Sequence, residues 1–131
     1  MRALIVVVKN PVPGAVKTRL QTRYTPDQAA SLYSAFVRDV LERTQRLDID
    51  HRVIAYDPPN AESEVRALCG NNWQYIPQVQ ENLGNRMHTA LVQQLDTGAS
   101  AAVLIGTDIP SLPSSHIAKA FDHLTTKDIV L

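Results

Sequence analysis

The sequence predicts an α/β fold, a three-layer α/β/α sandwich around a mostly parallel sheet, with residues 1–131 as one domain. Three observations predict it. Short apolar runs rich in β-branched residues recur along the chain. Stretches with apolar residues at helical spacing separate them. The clearest runs are apolar throughout rather than alternating, as in strands covered on both faces.

Each element has its own signal. Ala3 to Val8 is continuously apolar and reads as a buried first strand. Residues 9–24 form a long connection, in which GAVKTRLQTR has room for a helical turn. A helix over about 26–46 follows: Thr25 caps it, Pro26 suits its first turn and Gln28 stands three residues after the cap. Ala29, Leu32, Tyr33, Phe36, Val37, Val40 and Leu41 recur at helical spacing along it. HRVIAY, His51 to Tyr56, reads as the second strand, ended by Pro58 and Pro59. NAESEVRAL reads as a short helix capped by Asn60, and WQYIPQ, residues 73–78, as a short strand or extended connection.

Leu83 to Leu95 reads as a helix capped by Asn82, with Met87, Leu91 and Leu95 on one face and Gly98 as its stop. AAVLIG, residues 101–106, is a further buried strand, followed by the turn-rich TDIPSLP. Ser114 or Ser115 caps a last helix carrying Ile117, Ala120, Phe121 and Leu124, and DIVL begins a fifth strand. If that strand belongs to the sheet, the loop after it would lie at the ligand-binding edge and is missing, so the chain reads as truncated at its C-terminus.

Composition excludes several classes of function. Lys plus Arg and Asp plus Glu number 13 each, so no charge excess calls for nucleic acid or an anionic membrane. Trp73 and the tyrosines form no aromatic and basic stripe for nucleic acid. The apolar run at the start is cut short by Lys9, too early for a membrane span or a secretory signal. Cys69 is the only cysteine, which rules out an internal disulfide and suits a reducing, cytoplasmic location. It reads as an inert buried thiol. His51, His88, His116 and His123 lack metal-ligand spacing and read as structural or surface residues. Oligomeric state has no signature in the sequence.

Two stretches carry chemistry. In VVVKNPVPGAVKTRL, Lys9 follows the first strand, Pro11 and Pro13 stiffen the connection, and Gly14 permits unusual backbone angles. Lys17 and Arg19 then supply a compact charge and a forked donor suited to phosphate oxygens. Basic residues in loops also commonly do no more than face solvent. The stretch is not a Walker loop, since Val16 stands where glycine must precede the lysine. In LIGTDIPSLP, Asp108 lies just past a predicted strand, where a carboxylate can hold a divalent ion that bridges nucleotide phosphates. Gly106 leaves room for a ligand and Thr107 offers a hydroxyl; Asp108 as a plain turn former is the competing reading. Between them, LGNRM brings Gly84 and Arg86 to the start of a helix, Arg86 facing either a ligand or a surface acid.

These stretches, in this order, resemble the DUF2064 family, a bacterial family of candidate glycosyltransferases. Lys9, Pro11, Pro13, Gly14, Lys17, Thr18, Arg19 and Leu20 match its opening motif, Leu83 to Met87 its middle motif and Leu104 to Leu112 its acidic motif. The chain has Glu81 and Asn82 where the middle motif usually has Gly-Asp. The resemblance implies a GT-A nucleotide-diphospho-sugar transferase fold. It also implies a first loop (Lys9, Pro11, Gly14, Lys17, Arg19) around a nucleotide and its phosphates, with Gly106 and Thr107 nearby. Asp108 would sit at a Mg²⁺ or Mn²⁺ site, and Leu83, Gly84 and Arg86 beside the nucleotide or acceptor. Lys17, Arg19 and Asp108 are then the residues expected to carry catalysis. The expected activity is transfer from a nucleotide-sugar to an acceptor the sequence does not name. Nucleotidyl transfer from a nucleoside triphosphate is the alternative enzyme, and a non-catalytic nucleotide-binding domain the alternative without chemistry.

Overall fold

The apolar run at the amino terminus becomes β1 (Arg2–Lys9), the strand around which the rest is arranged in this computed structural model of residues 1–131. A 3₁₀ turn (Thr18–Thr22) and α1 (Pro26–Thr44) follow, then β2 (His51–Asp57), α2 (Glu62–Cys69), β3 (Gln74–Pro77), α3 (Leu83–Asp96), β4 (Ala101–Ile105) and α4 (Ser114–His123). The sheet is wholly parallel, in the order β3-β2-β1-β4. β1 therefore has a partner on each side, whereas β3 and β4 are edge strands.

Alternation along β1 builds two cores. Leu4, Val6 and Val8 face one side, where Tyr33 and Val37 of α1, Val65 of α2, and Ile117 and Phe121 of α4 cover them. Ile5 faces the other side with Val53 and Ala55, beneath Ala90 and Leu91 of α3. Three helices thus lie on one face and one on the other. The reason is topological. The chain steps outward from β1 to β3, then reverses to place β4 beyond β1, and a right-handed crossover in the reversed direction must use the opposite face. No helix is long and apolar enough to cross a membrane.

The expected three-layer, parallel α/β architecture is the one observed, with local corrections. Thr25 and Gln28 form a reciprocal capping box at α1, as their spacing predicts. Asn82 caps α3 by accepting from the Asn85 backbone N–H at 2.8 Å. Asn60 does not cap α2. The cap position belongs to Ala61, which is buried in the core and whose N–H donates to the Pro58 carbonyl at 3.0 Å. Pro113, not Ser114 or Ser115, precedes α4. Met87 and Leu95 are exposed, and α3 instead buries Ala90 and Gln94. DIVL is not a strand: residues 128–131 join no ladder and Ile129 is 78% exposed. An extended segment becomes a strand only when a neighbour accepts its backbone hydrogen bonds, and none does here.

One hydrogen-bond chain fixes the carboxyl edge of the sheet. The Lys9 backbone N–H donates to the Tyr33 hydroxyl at 3.0 Å, Tyr33 and Thr107 hydroxyls are 2.9 Å apart, and Thr107 donates to the Val7 carbonyl at 3.2 Å. With Thr107 donating to Val7, the Tyr33 proton goes to Thr107 and every group is satisfied. Burial raises the Tyr33 phenol above its ordinary range, so it remains the protonated donor this chain requires. Tyr33→Phe should leave the Lys9 N–H without its partner and destabilise the protein by about 1–2 kcal/mol in urea unfolding at unchanged slope.

Cys69 is half-buried at the end of α2, packed against the larger core. Burial pushes its thiol up to about 12, and the Arg38 charge only partly opposes that. Since the thiolate is the nucleophile, iodoacetamide at pH 8 should label native Cys69 at least about 100-fold more slowly than the urea-unfolded chain.

Candidate functional site

The carboxyl ends of β1, β2 and β4 share one edge of the sheet, and the register makes Lys9 the neighbour of Asp57. The order in which strands are added reverses between β1 and β4, the place where open parallel sheets form a crevice. A cleft of about 1140 Å³ lies there. Lys9, Lys17, Arg19, Leu83, Arg86, Gly106, Thr107 and Asp108 all line it. Residues from the amino-terminal loop, the middle segment and the acidic turn therefore meet. Pro11, Gly14 and Gly84 do not line the cleft. Gly14 has φ of +85° in the loop between Lys9 and Lys17 and shapes its path. A side chain added at Gly106 would meet open space, so nothing in the protein itself demands glycine there.

The cationic side is built on the 3₁₀ turn. Lys17 precedes it in a left-handed conformation, φ 49° and ψ 42°, unique among the non-glycine residues of this chain. Its ammonium lies 5.8 Å and 5.7 Å from the ring centroids of Tyr33 and Phe36 on α1, within range of favourable cation–π attraction. That ammonium forms an ion pair with Asp108, 91 residues further along the chain. Lys9 turns its ammonium back onto the Ala15 carbonyl at 3.0 Å and so ties the loop to its own start. Arg19 is exposed and takes part in no ion pair.

The opposite wall is a locked polar group. The Arg86 guanidinium reaches the Glu81 carbonyl at 2.8 Å, the Gln78 side-chain oxygen at 3.3 Å and the Asp57 carboxylate at 3.5 Å. Gln78 is itself fixed by donating to the Ala55 carbonyl at 2.9 Å, and Asp57 also accepts from Gln80 at 3.2 Å. Arg86 is thus paired with an acid, the second of its two sequence readings, and still lines the cleft. Asp57 and Gln78 are residues the sequence reading missed. Asp57 was findable, because it ends a parallel strand beside β1, at the edge where ligand groups gather. Tyr33 and Phe36 stand out in the sequence only as positions of a helical repeat, yet both line the cleft.

Nowhere in the chain do three His, Cys, Asp or Glu side chains converge into a self-sufficient metal site. Asp108 is a single exposed carboxylate, and Asp57 is already engaged. Asp108 could offer a divalent ion one carboxylate only, so the other ligands would have to come from a bound molecule or from water. Leu83 and Met87 add an exposed apolar strip to the cleft wall.

Known proteins share this architecture. A candidate nucleotide-diphospho-sugar transferase from Desulfovibrio desulfuricans G20 superposes with a TM-score of 0.89 at 35% identity, over 95% of this chain and 55% of that one. The structure of CMP:2-keto-3-deoxy-manno-octonic acid synthetase complexed with CTP superposes with a TM-score of 0.61 over 98% of this chain and 49% of that one. At 11% identity, that second likeness is one of fold alone. The chain spans about half the length of each of these proteins. No curated protein matches it. The fold is accordingly that of the nucleotide-diphospho-sugar transferases, as the motifs imply. A family model described as an uncharacterized protein conserved in bacteria matches residues 40–131, which include the middle and acidic motifs but not the basic loop. By that match, the chain belongs to the DUF2064 family.

Proposed function

We propose that the protein is a metal-dependent glycosyltransferase that takes a nucleotide-sugar as donor and transfers the sugar to a small-molecule acceptor. The observation that carries this reading is the meeting of Lys17 and Asp108 in one cleft at the carboxyl edge of a parallel sheet, with unpaired Arg19 on the same lining. Similarity to the Desulfovibrio protein supports the donor class. The cleft volume, about 1140 Å³, is ample for a ligand of nucleotide-sugar size.

Cleaving a sugar–phosphate bond leaves a diphosphate with added negative charge, so the barrier falls where fixed positive groups await that charge. In this reading Lys17 and Arg19 bind the phosphates, Arg19 through its forked donors. Lys9 holds the loop closed through Ala15, while Pro11 and Gly14 set its course. Gly106 and Thr107 form the floor below the phosphates. Asp108 would hold a Mg²⁺ or Mn²⁺ ion, whose charge would help to neutralise the diphosphate. Leu83, Gly84 and Arg86 border the nucleotide or acceptor, and the Arg86–Asp57 pair keeps that wall rigid and nearly neutral.

Nucleotidyl transfer from a nucleoside triphosphate makes the same demands on the cations and on Asp108. The fold shared with a CTP-bound synthetase favours keeping it as the second reading. Pyrophosphate release from a triphosphate would select it over sugar transfer.

A thermal-shift screen of nucleotides and nucleotide-sugars, with and without Mn²⁺, tests the proposal. One donor should stabilise the protein selectively and only with metal, by about 2.7 kcal/mol at a ligand concentration 100 times Kd. Lys17→Ala and Asp108→Ala should each weaken that metal-dependent binding by roughly tenfold. Full selective binding in both variants would show that these residues are not the phosphate and metal contacts.

A further inference from the structure

We infer that Lys17 and Asp108 form an exchange latch: each occupies its partner's ligand position in the resting chain, so diphosphate and divalent ion bind together far better than either binds alone. This rests on the reading above, in which Lys17 meets phosphate and Asp108 meets the ion.

The two partners are held unequally. The Lys17 side chain is 21% exposed, whereas that of Asp108 is 77% exposed. Lys17 is seated from three directions: its backbone is in the left-handed region, the 3₁₀ turn begins after it, and its ammonium lies near the rings of Tyr33 and Phe36. The ammonium thus holds its place without a ligand, while the Asp108 carboxylate is open to approach from solvent.

Charge then determines what can enter. A diphosphate arriving alone meets an ammonium already neutralised and a carboxylate that repels it. A divalent ion arriving alone finds its carboxylate occupied and an ammonium that repels it. When both arrive, the ion takes the carboxylate and the ammonium is released to the phosphate. Two opposing contacts become two favourable ones. Because binding free energies are reciprocal, each ligand raises the other's affinity by the same factor. Arg19, which has no acidic partner, gives the diphosphate its first attachment.

The latch predicts that removing the Asp108 charge acts in opposite directions with and without metal. The probe is inorganic pyrophosphate, measured by calorimetry on wild type, Asp108→Asn, Lys17→Met and the double variant, first in EDTA and then in Mg²⁺. In EDTA, Asp108→Asn should bind pyrophosphate on the order of fivefold more tightly than wild type, because an exposed ion pair no longer competes. In Mg²⁺ the order should reverse. The gain in EDTA should be clearly smaller when the same substitution is made on the Lys17→Met background, where it removes only the repulsion by the carboxylate and frees no ammonium. A variant no tighter than wild type in EDTA overturns the latch, as does an equal gain without Lys17, which would mark plain repulsion by the carboxylate. Failure of wild type to bind pyrophosphate or any nucleotide saturably with Mg²⁺ overturns the nucleotide reading itself. Good Mg²⁺-dependent binding by wild type without the reversal overturns the latch alone. Asp108 is exposed, so asparagine there leaves the fold intact, and thermal unfolding of each variant verifies it.

Discussion

The hydrogen bonds running from the Lys9 N–H through Tyr33 and Thr107 to the Val7 carbonyl join three stretches that are distant in sequence. β1 contributes both ends, α1 the phenol, and the turn after β4 the hydroxyl. The basic loop starts at one end of this chain, and Asp108 follows directly on Thr107. The start of the basic loop and the turn that carries Asp108 are therefore tied to each other by satisfied, largely buried donors and acceptors as well as by the exposed ion pair. An exposed pair contributes little rigidity, whereas a buried polar group left unpartnered is costly, so the buried chain is what holds the arrangement.

Around that frame the cleft is electrically divided. On the β2 side Asp57 is matched by Arg86 and Gln80, and Gln78 keeps Arg86 in one orientation. On the β4 side Asp108 is matched by Lys17, and Arg19 remains without an acid. Both carboxylates are spoken for, and the surplus charge of the cleft is positive and lies near the 3₁₀ turn. A ligand with an anionic end and an uncharged end fits this polarity in one direction only. The exposed Leu83 and Met87 beside Arg86 reinforce the distinction.

The layers were readable because strands buried on both faces leave continuous apolar runs, and Ala3 to Val8 and Ala101 to Ile105 are such runs. The cap of α1 was readable because Thr25 and Gln28 act locally. Lys17 and Asp108 were named from their positions after strands, and the parallel sheet places both at one cleft. What escaped depended on partners far away in sequence. Tyr33 carries an apolar ring and a hydroxyl, and periodicity registers only the ring. Met87 and Leu95 fit a helical repeat, but α3 is the sole helix on its side of the sheet and covers it with Ala90 and Leu91 instead. A periodic pattern reports that a helix has an apolar side, not how much of that side finds a cover. DIVL shows the same limit for strands, since composition cannot supply the neighbour that a ladder needs.

The place of β4 at the margin of the sheet has a mechanical consequence. β1 is clamped between two parallel neighbours, while β4 is gripped along one side only. The two poles of the cleft are consequently mounted differently: the basic loop leaves the central strand at Lys9, and the acidic turn leaves the marginal strand after Ile105. The geometry thus leaves more play to Asp108, on an exposed turn after an edge strand, than to the end of β1.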